Sequence, residues 1–173
     1  MKKFKFLLFA AIAAAISVTL PACSDDDDDN IGTEKDLIGT WTPQRERGWQ
    51  KDKKGKTLDS WDVEYEDEYG GTYKLEVYED GTWKWYRMWR GSWSVDSYGS
   101  WEKKDGTFIF EHLSSRSPHF LYDNTPGKVS KLNSSTLEIE SHYIKSDAEY
   151  NEDTDSYEDK FWTTFSKVLD EED

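Results

Sequence analysis

The chain has 173 residues and a formal net charge of −14, from 36 acidic against 22 basic side chains. So acidic a surface repels phosphate backbones and anionic lipid head groups, which excludes nucleic acid and membrane surfaces as main partners. The hydrophobic content of 35% is low for a folded domain, but nine Trp and ten Tyr residues supply the large side chains that one core needs.

The first 22 residues have the organisation of an export signal. Three lysines within the first five positions precede an uncharged, mostly apolar run of 15 residues from Phe6 to Leu20. That run is shorter than the roughly 20 residues a membrane-spanning helix requires. We therefore predict that residues 1–22 are a signal peptide removed on export. The mature chain then has 19 basic and 36 acidic residues, a formal charge of −17.

The cysteine at the predicted cleavage site carries further information. Cys23 is the only cysteine and follows Leu20-Pro21-Ala22, a sequence that resembles a bacterial lipobox. The resemblance implies that Cys23 is lipidated and holds the protein on the outer membrane by its lipid alone. An ordinary signal peptide followed by an isolated cysteine is the alternative. A single cysteine excludes an intrachain disulfide and a cysteine cluster for zinc.

Residues 23–36 are predicted to form the lipidated cysteine and an acidic linker. Ser24 and the five aspartates Asp25 to Asp29 follow the cysteine directly. Cys-Ser-Asp-Asp-Asp is similar to the export tag of surface-exposed lipoproteins in Bacteroidota, which implies a location facing the cell exterior. A solvated, self-repelling spacer has the same composition, and the two interpretations are compatible.

From residue 37 to 169 the sequence predicts one all-β domain, because period-2 alternation recurs without sustained helical periodicity. Sequential hairpins without helical crossovers predict an antiparallel up-and-down meander barrel of about eight strands, or a sandwich of the same hairpins. Two polar segments are expected to be extended loops or edge-strand hairpins, and the chain to end in a short acidic tail. The predicted strands are 37–41, 72–78, 82–89, 92–95, 107–112, 128–132, 136–143 and 161–168; the polar segments are 43–71 and 144–159; the tail is 170–173.

One turn predicts a strand register. Glu79-Asp80-Gly81 is a three-residue hairpin loop with glycine where a positive φ is needed. It predicts an apolar, aromatic face opposite a charged face. The expected cross-strand pairs are Val77–Trp83, Leu75–Trp85 and Tyr73–Arg87 on the first face, and Glu76–Lys84 and Lys74–Tyr86 on the second.

The apolar face of this hairpin supplies the candidate ligand-binding residues Tyr73, Trp85, Arg87 and Trp89. Indole rings line apolar pockets and stack on sugars while offering an N–H donor. A guanidinium on this face needs a partner, which an internal carboxylate, a position at the rim or an anionic ligand group would provide. The alternative is that these aromatic rings are core, which is our prediction for Trp83 near the turn.

No sequence motif indicates catalysis, and we predict neither an enzyme nor a cofactor. His112, His119 and His142 have no ligand spacing, so we predict no metal site. The segment 147–158 places acidic side chains at calcium-loop positions, but Glu152 stands where that loop requires glycine. A solvated acidic loop explains the same spacing.

Three short motifs occur in an order that resembles the lipocalin-like domains of Bacteroidota lipoproteins. They are Gly39-Thr40-Trp41, similar to the Gly-x-Trp of the lipocalin first strand, the hairpin sequence at 79–83, and the Gly-x-aromatic-x-Val sequence at 91–95. The resemblance spans roughly residues 37–168 and implies a barrel. It leaves the ligand open, because a fold does not imply a function.

The sequence therefore favours a lipid-anchored, surface-exposed, lipocalin-like protein that binds a small amphiphilic or apolar ligand. A second hypothesis is a glycan-binding accessory lipoprotein in polysaccharide uptake, with Trp49, Trp61 or Trp101 as the exposed rings. A third is a structural or inhibitory subunit that docks on a surface protein through the segments 43–71 and 144–159. A solvent-filled lumen, a flat row of exposed rings or a filled core would distinguish the three.

Overall fold

The computed structural model of the protein describes residues 31–122, 125–146 and 156–169. Two short helices and nine strands make up this part of the chain. In chain order they are α1 (Glu34–Leu37), β1 (Gly39–Lys51), β2 (Thr57–Glu64), α2 (Tyr65–Tyr69), β3 (Tyr73–Val77), β4 (Thr82–Trp89), β5 (Ser92–Lys104), β6 (Thr107–His112), β7 (Gly127–Leu132), β8 (Thr136–Ile144) and β9 (Glu158–Lys167).

The strands form a closed antiparallel barrel. Each strand from β3 to β9 pairs with the next one in the chain, and β9 returns to pair with β1. Eight strands close the barrel, and β2 is an additional strand on the edge of β1. The prediction of an all-β, up-and-down meander barrel is confirmed.

The long strand β1 shapes one end of the barrel. Its first residues, 39–41, pair with β3, whereas residues 45–51 pair on that same edge with β2. The helix α2 then returns the chain from β2 to the start of β3. The barrel is therefore open between β1 and β3 at this end, which we call the wide end. The β3–β4 turn lies at the opposite, narrow end.

Several predicted strand boundaries differ from the structure. Leu37 closes α1 instead of opening β1, because Thr33 and Asp36 form a capping box that starts a helix there. Strand β5 extends to Lys104 rather than ending at Val95. The segment 43–71 is an edge-strand hairpin followed by α2, in agreement with one of the two forms expected. Most of the acidic segment 147–158 lies outside the described residues.

The predicted register of β3 and β4 is confirmed. Val77 pairs with Trp83, Leu75 with Trp85 and Tyr73 with Arg87. The turn closes through the Tyr78 amide, which donates to the Thr82 carbonyl oxygen at 2.9 Å, and Gly81 has a φ of 81°. The loop length and the alternation of the two strands therefore both predict the pairing that the structure has.

The lumen towards the narrow end is filled with aromatic rings. Trp83 and Trp85 point inward from β4, and Phe165 of β9 packs edge-on against Trp85. The loop between β6 and β7 adds Phe120, whose ring centre lies 5.1 Å from that of Trp85 and 5.5 Å from that of Phe165. All four side chains are completely buried, so this half of the barrel is a packed core.

Candidate functional site

The four candidate residues of the β3–β4 hairpin lie in different environments. Tyr73 and Trp85 are buried, and their rings stack with centres 5.2 Å apart and planes within 10° of parallel. Tyr65 of α2 packs on the edge of both rings. These two residues belong to the packed core.

Arg87 and Trp89 lie where β4 leaves the barrel. Trp89 is 60% exposed, and Arg87 is partly buried. The guanidinium carbon of Arg87 lies 5.9 Å from the ring centre of Tyr73 and 5.7 Å from that of Trp89. These aromatic faces, together with access to solvent at the rim, satisfy the charge without an internal carboxylate.

Polar side chains concentrate inside the wide end, on three adjacent strands. Inward-facing residues of β1, β9 and β8 lie opposite one another in rows across the sheet. From the core outward, the rows are Glu46–Thr163–Ile139, Gly48–Phe161–Ser141 and Gln50–Asp159–Tyr143. Four of these nine residues, Glu46, Ser141, Asp159 and Thr163, are buried polar groups. The wide end is therefore the polar part of the interior.

A cavity of about 660 Å³ opens at this end. Its volume is in the range of small-molecule sites, which are commonly 300–1,000 Å³. Aromatic rings dominate the lining, and one buried carboxylate lies among them. The lining residues are Glu46, Gln50, Trp61, Tyr69, Ser117, Pro118, His119, Leu121, Tyr122, Tyr143 and Phe161. None of the four residues predicted from the β3–β4 hairpin is among them.

Glu46 is the most buried charged residue of the cavity, with 3% of its surface exposed. Trp61 Nε1 donates to one carboxylate oxygen at 2.9 Å, and the Tyr69 hydroxyl donates to the other at 2.8 Å. Burial raises the pKa of Glu46, and the two donated hydrogen bonds oppose that shift. The carboxylate in turn ties β2 and α2 to the wall of the barrel.

The position of Trp61 depends on a glycine. Gly48 lies opposite Trp61 in the β1–β2 pair, and the indole crosses directly over it. A Cβ at position 48 would lie 2.4 Å from the indole and 2.7 Å from the Lys160 carbonyl oxygen. Only a residue without a side chain therefore lets the indole reach Glu46.

An aromatic stack closes the side of the cavity next to the hairpin. The imidazole of His119 lies over Tyr69, with ring centres 4.5 Å apart, and meets Tyr73 edge-on. Desolvation lowers the pKa of His119, and the positive charges of Arg87 and Arg116 lower it further against the opposing effect of Asp96. The ring at this edge is therefore held towards its neutral form.

Asp159 completes the polar end. It is 8% exposed, and it lies between Gln50 and Tyr143 on the inward face of the sheet. Its Oδ1 is buried and accepts no hydrogen bond from the described residues. Desolvation raises the pKa of Tyr122 on the cavity wall, and the nearby charges of Asp159 and Glu46 add to that shift.

Of the cavity residues, sequence reasoning named only Trp61, as an exposed ring for glycan binding, and His119, as a histidine without ligand spacing. A bulge between Pro43 and Arg45 reverses which alternate side chains of β1 point into the barrel. The odd-numbered Trp41 points inward before the bulge, whereas the even-numbered Glu46 and Gly48 point inward after it. A single-sequence alternation pattern does not reveal such a shift. The Gly48-Trp49 pair within a polar segment was the available signal, because an isolated strand glycine marks a bulge or close approach.

The three tryptophans considered for glycan binding form no common surface. Trp61 and Trp49 extend from opposite faces of β1 and β2, since Trp61 is paired with Gly48, the neighbour of Trp49. Trp101 lies by the β3–β4 turn, where its Nε1 donates to the Tyr78 carbonyl oxygen at 3.0 Å.

Within residues 31–122, 125–146 and 156–169, no helix is long and apolar enough to cross a membrane. The same residues contain no group of three or more His, Cys, Asp or Glu side chains arranged to hold a metal ion. Comparison of the chain with protein families, with curated proteins and with solved structures found no match.

Proposed function

We propose that the protein binds a small amphiphilic ligand in the cavity at the wide end of the barrel. The observation that carries the proposal is the contrast between the two halves of the lumen. The narrow half is filled with completely buried aromatic rings, whereas the wide half contains an open volume of about 660 Å³. Core packing does not account for a cavity of this size.

The lining suits a molecule with an apolar body and a polar end. Tyr122, Tyr143 and Phe161 line the cavity with aromatic side chains that the body of a ligand can contact. Glu46 and Gln50 offer polar groups at two levels of the wall. An apolar pocket with a few convergent polar groups is the usual form of a small-molecule site.

The scaffold keeps this cavity in shape before any ligand arrives. Glu46 is hydrogen bonded to both Trp61 and Tyr69, so three separate elements are fixed around one carboxylate. Strand β9 pairs continuously with β1 and β8 behind the cavity. A preformed site loses less entropy on binding than one that must be ordered.

The sequence adds the location to this proposal. The leader, Cys23 and the aspartates Asp25–Asp29 support a protein that is anchored by lipid to the outer membrane and faces the cell exterior. The binding domain would then meet its ligand outside the cell. Membrane contact would be through the lipid anchor only, and the acidic domain would be repelled by anionic head groups.

Calorimetric titration of the protein tests the proposal. The probes are a fatty acid, a bile-acid-like amphiphile, an arylalkyl alcohol and an oligosaccharide. Gln50→Trp places an indole at the mouth of the cavity and is expected to weaken binding of the active probe at least tenfold. Gln44→Trp is the matched control, because Gln44 is exposed on the same strand outside the cavity.

Two results would contradict the proposal. Equal affinity of both variants for the active probe would place the binding site outside the cavity. No saturable binding by any probe would remove the small-amphiphile function itself. Binding of the oligosaccharide that survives Gln50→Trp would support the glycan-binding hypothesis instead.

A further inference from the structure

The end of the β4–β5 hairpin has a free backbone edge. Strand β5 pairs with β4 from Ser92 to Ser100, but it pairs with β6 only from Gly99 to Lys104. Its first residues, Ser92 to Val95, therefore have β4 on one side and no other described strand on the opposite side. All four of these residues are exposed. We call this four-residue segment the β5 edge.

The hairpin turn determines which backbone groups the β5 edge presents. The turn is the two-residue loop Arg90-Gly91, with φ values of 49° and 78°, and Trp89 and Ser92 pair across it. In such a hairpin the closing pair is hydrogen bonded, and bonded and non-bonded pairs alternate along the ladder. The amide and carbonyl groups of Trp93 and Val95 consequently point away from β4. None of these four groups has a hydrogen-bond partner among the described residues.

Exposed apolar side chains accompany these backbone groups. Trp93 and Val95 are 40% and 48% exposed, and both lie on the outer face of the sheet, since Val95 pairs with Tyr86, the neighbour of the inward-pointing Trp85. Lys74 Nζ lies 5.0 Å from the ring centre of Trp93 and 4.8 Å from that of Tyr86, which orders the indole on the sheet. The β5 edge thus offers both main-chain hydrogen bonds and apolar contacts, the two features that bind an added strand.

The charge around the β5 edge is positive, in contrast to the rest of the chain. Residues 82–95 include three basic side chains and no acidic one, although the whole sequence has 36 acidic against 22 basic residues. The acidic residue that follows, Asp96, is ion-paired with the exposed Arg116 at 3.3 Å. Arg90 at the turn and Arg116 therefore flank the two ends of the edge. At physiological ionic strength charges more than about 8 Å away are largely screened, so these cations outweigh the distant carboxylates.

We propose that an extended, acidic segment of a partner protein adds to the β5 edge as a further strand. The backbone of that segment pairs with the free groups of Trp93 and Val95, and its carboxylates lie near Arg90 and Arg116. Charge complementarity selects this occupant, because a second copy of the chain would place the same cations against each other. The inference is independent of the cavity, whose lining includes no residue of the β5 edge.

Two synthetic peptides test the chemistry of the partner. The acidic peptide is acetyl-Glu-Thr-Val-Thr-Val-Thr-Glu-amide, which favours an extended conformation, and the basic peptide has lysine in place of both glutamates. Each is titrated by calorimetry into the wild-type protein at neutral pH and physiological salt. We expect the acidic peptide to bind at least tenfold more tightly than the basic one. Equal affinities, or no binding by either peptide, would overturn the acidic partner.

Amide hydrogen exchange of the wild-type protein locates the bound peptide. At saturation with the acidic peptide, the amides of Trp93 and Val95 are expected to exchange at least tenfold more slowly. Ser94 is the internal control, because it forms a hydrogen-bonded pair with Arg87 of β4 and its amide should change little. Protection of other amides, with none at Trp93 and Val95, would overturn the β5 edge as the binding site.

A substitution in the backbone edge separates main-chain pairing from side-chain contact. Val95→Pro removes a free N–H donor without removing a bond to β4, so it is expected to weaken binding of the acidic peptide at least tenfold. Val95→Thr is the matched control, because it keeps the N–H and the β-branched shape, and its affinity should stay within twofold. Equal affinities of the two variants would overturn strand addition. If Val95→Pro fails to fold, amide exchange of the wild-type protein still decides.

Removal of one flanking cation tests the charge preference. Arg116→Gln is expected to lower the affinity for the acidic peptide at least threefold and to raise the affinity for the basic one. Lys104→Gln is the matched control, because it removes the same charge from an exposed position at the other end of β5. It is expected to change neither affinity. The same effect of both substitutions would overturn a local role of Arg116.

Two further results distinguish the partner segment from the other possible occupants. A dimer in sedimentation that Val95→Pro dissociates would assign the β5 edge to a second copy of the chain and overturn the acidic partner. Gln50→Trp is expected to leave binding of the acidic peptide unchanged. Peptide binding that Gln50→Trp abolishes would place the peptide in the cavity and overturn the inference, whereas loss of amphiphile binding alone leaves the β5 edge intact.

Discussion

The indole of Trp83 lies directly across Gly99, its partner on the neighbouring strand β5. The indole Nε1 reaches past the glycine and donates to the Ser100 carbonyl oxygen at 3.0 Å and to the Glu111 carbonyl oxygen at 3.1 Å. One buried ring therefore bridges the backbones of β5 and β6. The packing depends on the absence of a side chain at position 99.

Gly99→Ala should destabilise the protein strongly. An added Cβ would lie 1.9 Å from the Glu111 carbonyl oxygen and 2.5 Å from the indole of Trp83, so backbone and ring must both move. We expect a loss of about 1–3 kcal/mol or more in the free energy of unfolding, measured by urea denaturation. Ser100→Ala on the same strand is the control. A loss below about 0.5 kcal/mol in Gly99→Ala would contradict the close packing of Trp83.

Trp85→Ala should show the behaviour of a core residue. Trp85 is completely buried against Tyr73, Phe120 and Phe165, and its removal leaves a void. We expect a loss of about 3–5 kcal/mol in the free energy of unfolding. Trp89→Ala is the comparison, because Trp89 is 60% exposed, and it should cost less than about 1 kcal/mol. Similar losses in the two variants would show that the lumen near Trp85 is open.

Arg87→Met should have a small effect on stability and none on ligand binding. The substitution keeps most of the packing of the stem and removes the interactions of the guanidinium with Tyr73 and Trp89. Each such interaction contributes about 0.5–1 kcal/mol at an exposed site, which sets the expected loss on thermal denaturation. Calorimetric affinity for the active probe should stay within twofold. A loss of binding would show that Arg87 is part of the ligand-binding site.

Glu46 should make stability depend on pH. Because burial raises its pKa, the folded protein holds this proton more tightly than the unfolded chain, whose value is about 4.3. The contribution of Glu46 to stability is thus greatest below about pH 4 and is lost as the pH rises through the folded pKa. The stability of Glu46→Gln relative to wild type should therefore increase as the pH rises above about 4.

The measurement is the difference in unfolding free energy between the variant and wild type at each pH. Asp62→Asn provides a comparison of opposite sign, since the hydrogen bond from Arg45 lowers the pKa of Asp62. Its difference from wild type should become less favourable as the pH rises towards about 4, the unfolded value of Asp, and stay constant above it. If the difference in unfolding free energy between Glu46→Gln and wild type is the same at every pH, burial does not raise the pKa of Glu46.

The proposed lipid anchor predicts a fractionation result. Cys23→Ala should move the protein from the membrane fraction to a soluble or uncleaved form, detected by immunoblotting. Replacing Asp25–Asp29 with Ala-Ser repeats should preserve lipidation. It should reduce the fraction of the protein that an added protease cleaves on intact cells. A membrane-bound, cleaved Cys23→Ala protein would remove the lipobox interpretation, and equal protease access would leave the aspartates as a spacer.

The β3–β4 hairpin was predictable because its information is local. Alternating residues and Gly81 in the turn fix which side chains meet, and the five predicted cross-strand pairs are those in the structure. How far each pair lies from the core was not predictable. Trp85 and Trp89 share a face, yet one is completely buried and the other extends past the end of the barrel.

The cavity was not predictable because long-range contacts build it. Glu46 faces inward only after the bulge in β1, and its hydrogen-bond partners come from β2 and α2. Phe120 fills the lumen from a loop without strand periodicity, which local patterns do not place. Asp159 was one of many acidic residues, and only burial between Gln50 and Tyr143 distinguishes it.

The additional strand β2 gives the barrel an open edge, with consequences for solubility. Among the described residues β2 pairs with β1 alone, and most of its side chains are exposed. An unpaired edge is a template for aggregation, which charged side chains suppress. Asp59, Asp62 and Glu64 supply negative charge along this edge, so two copies repel each other at neutral pH. Near pH 4.6, where the full sequence has no net charge, the overall repulsion between copies disappears. Only the charges along this edge then oppose pairing of two β2 strands, and Asp62 keeps its charge to the lowest pH because the hydrogen bond from Arg45 lowers its pKa.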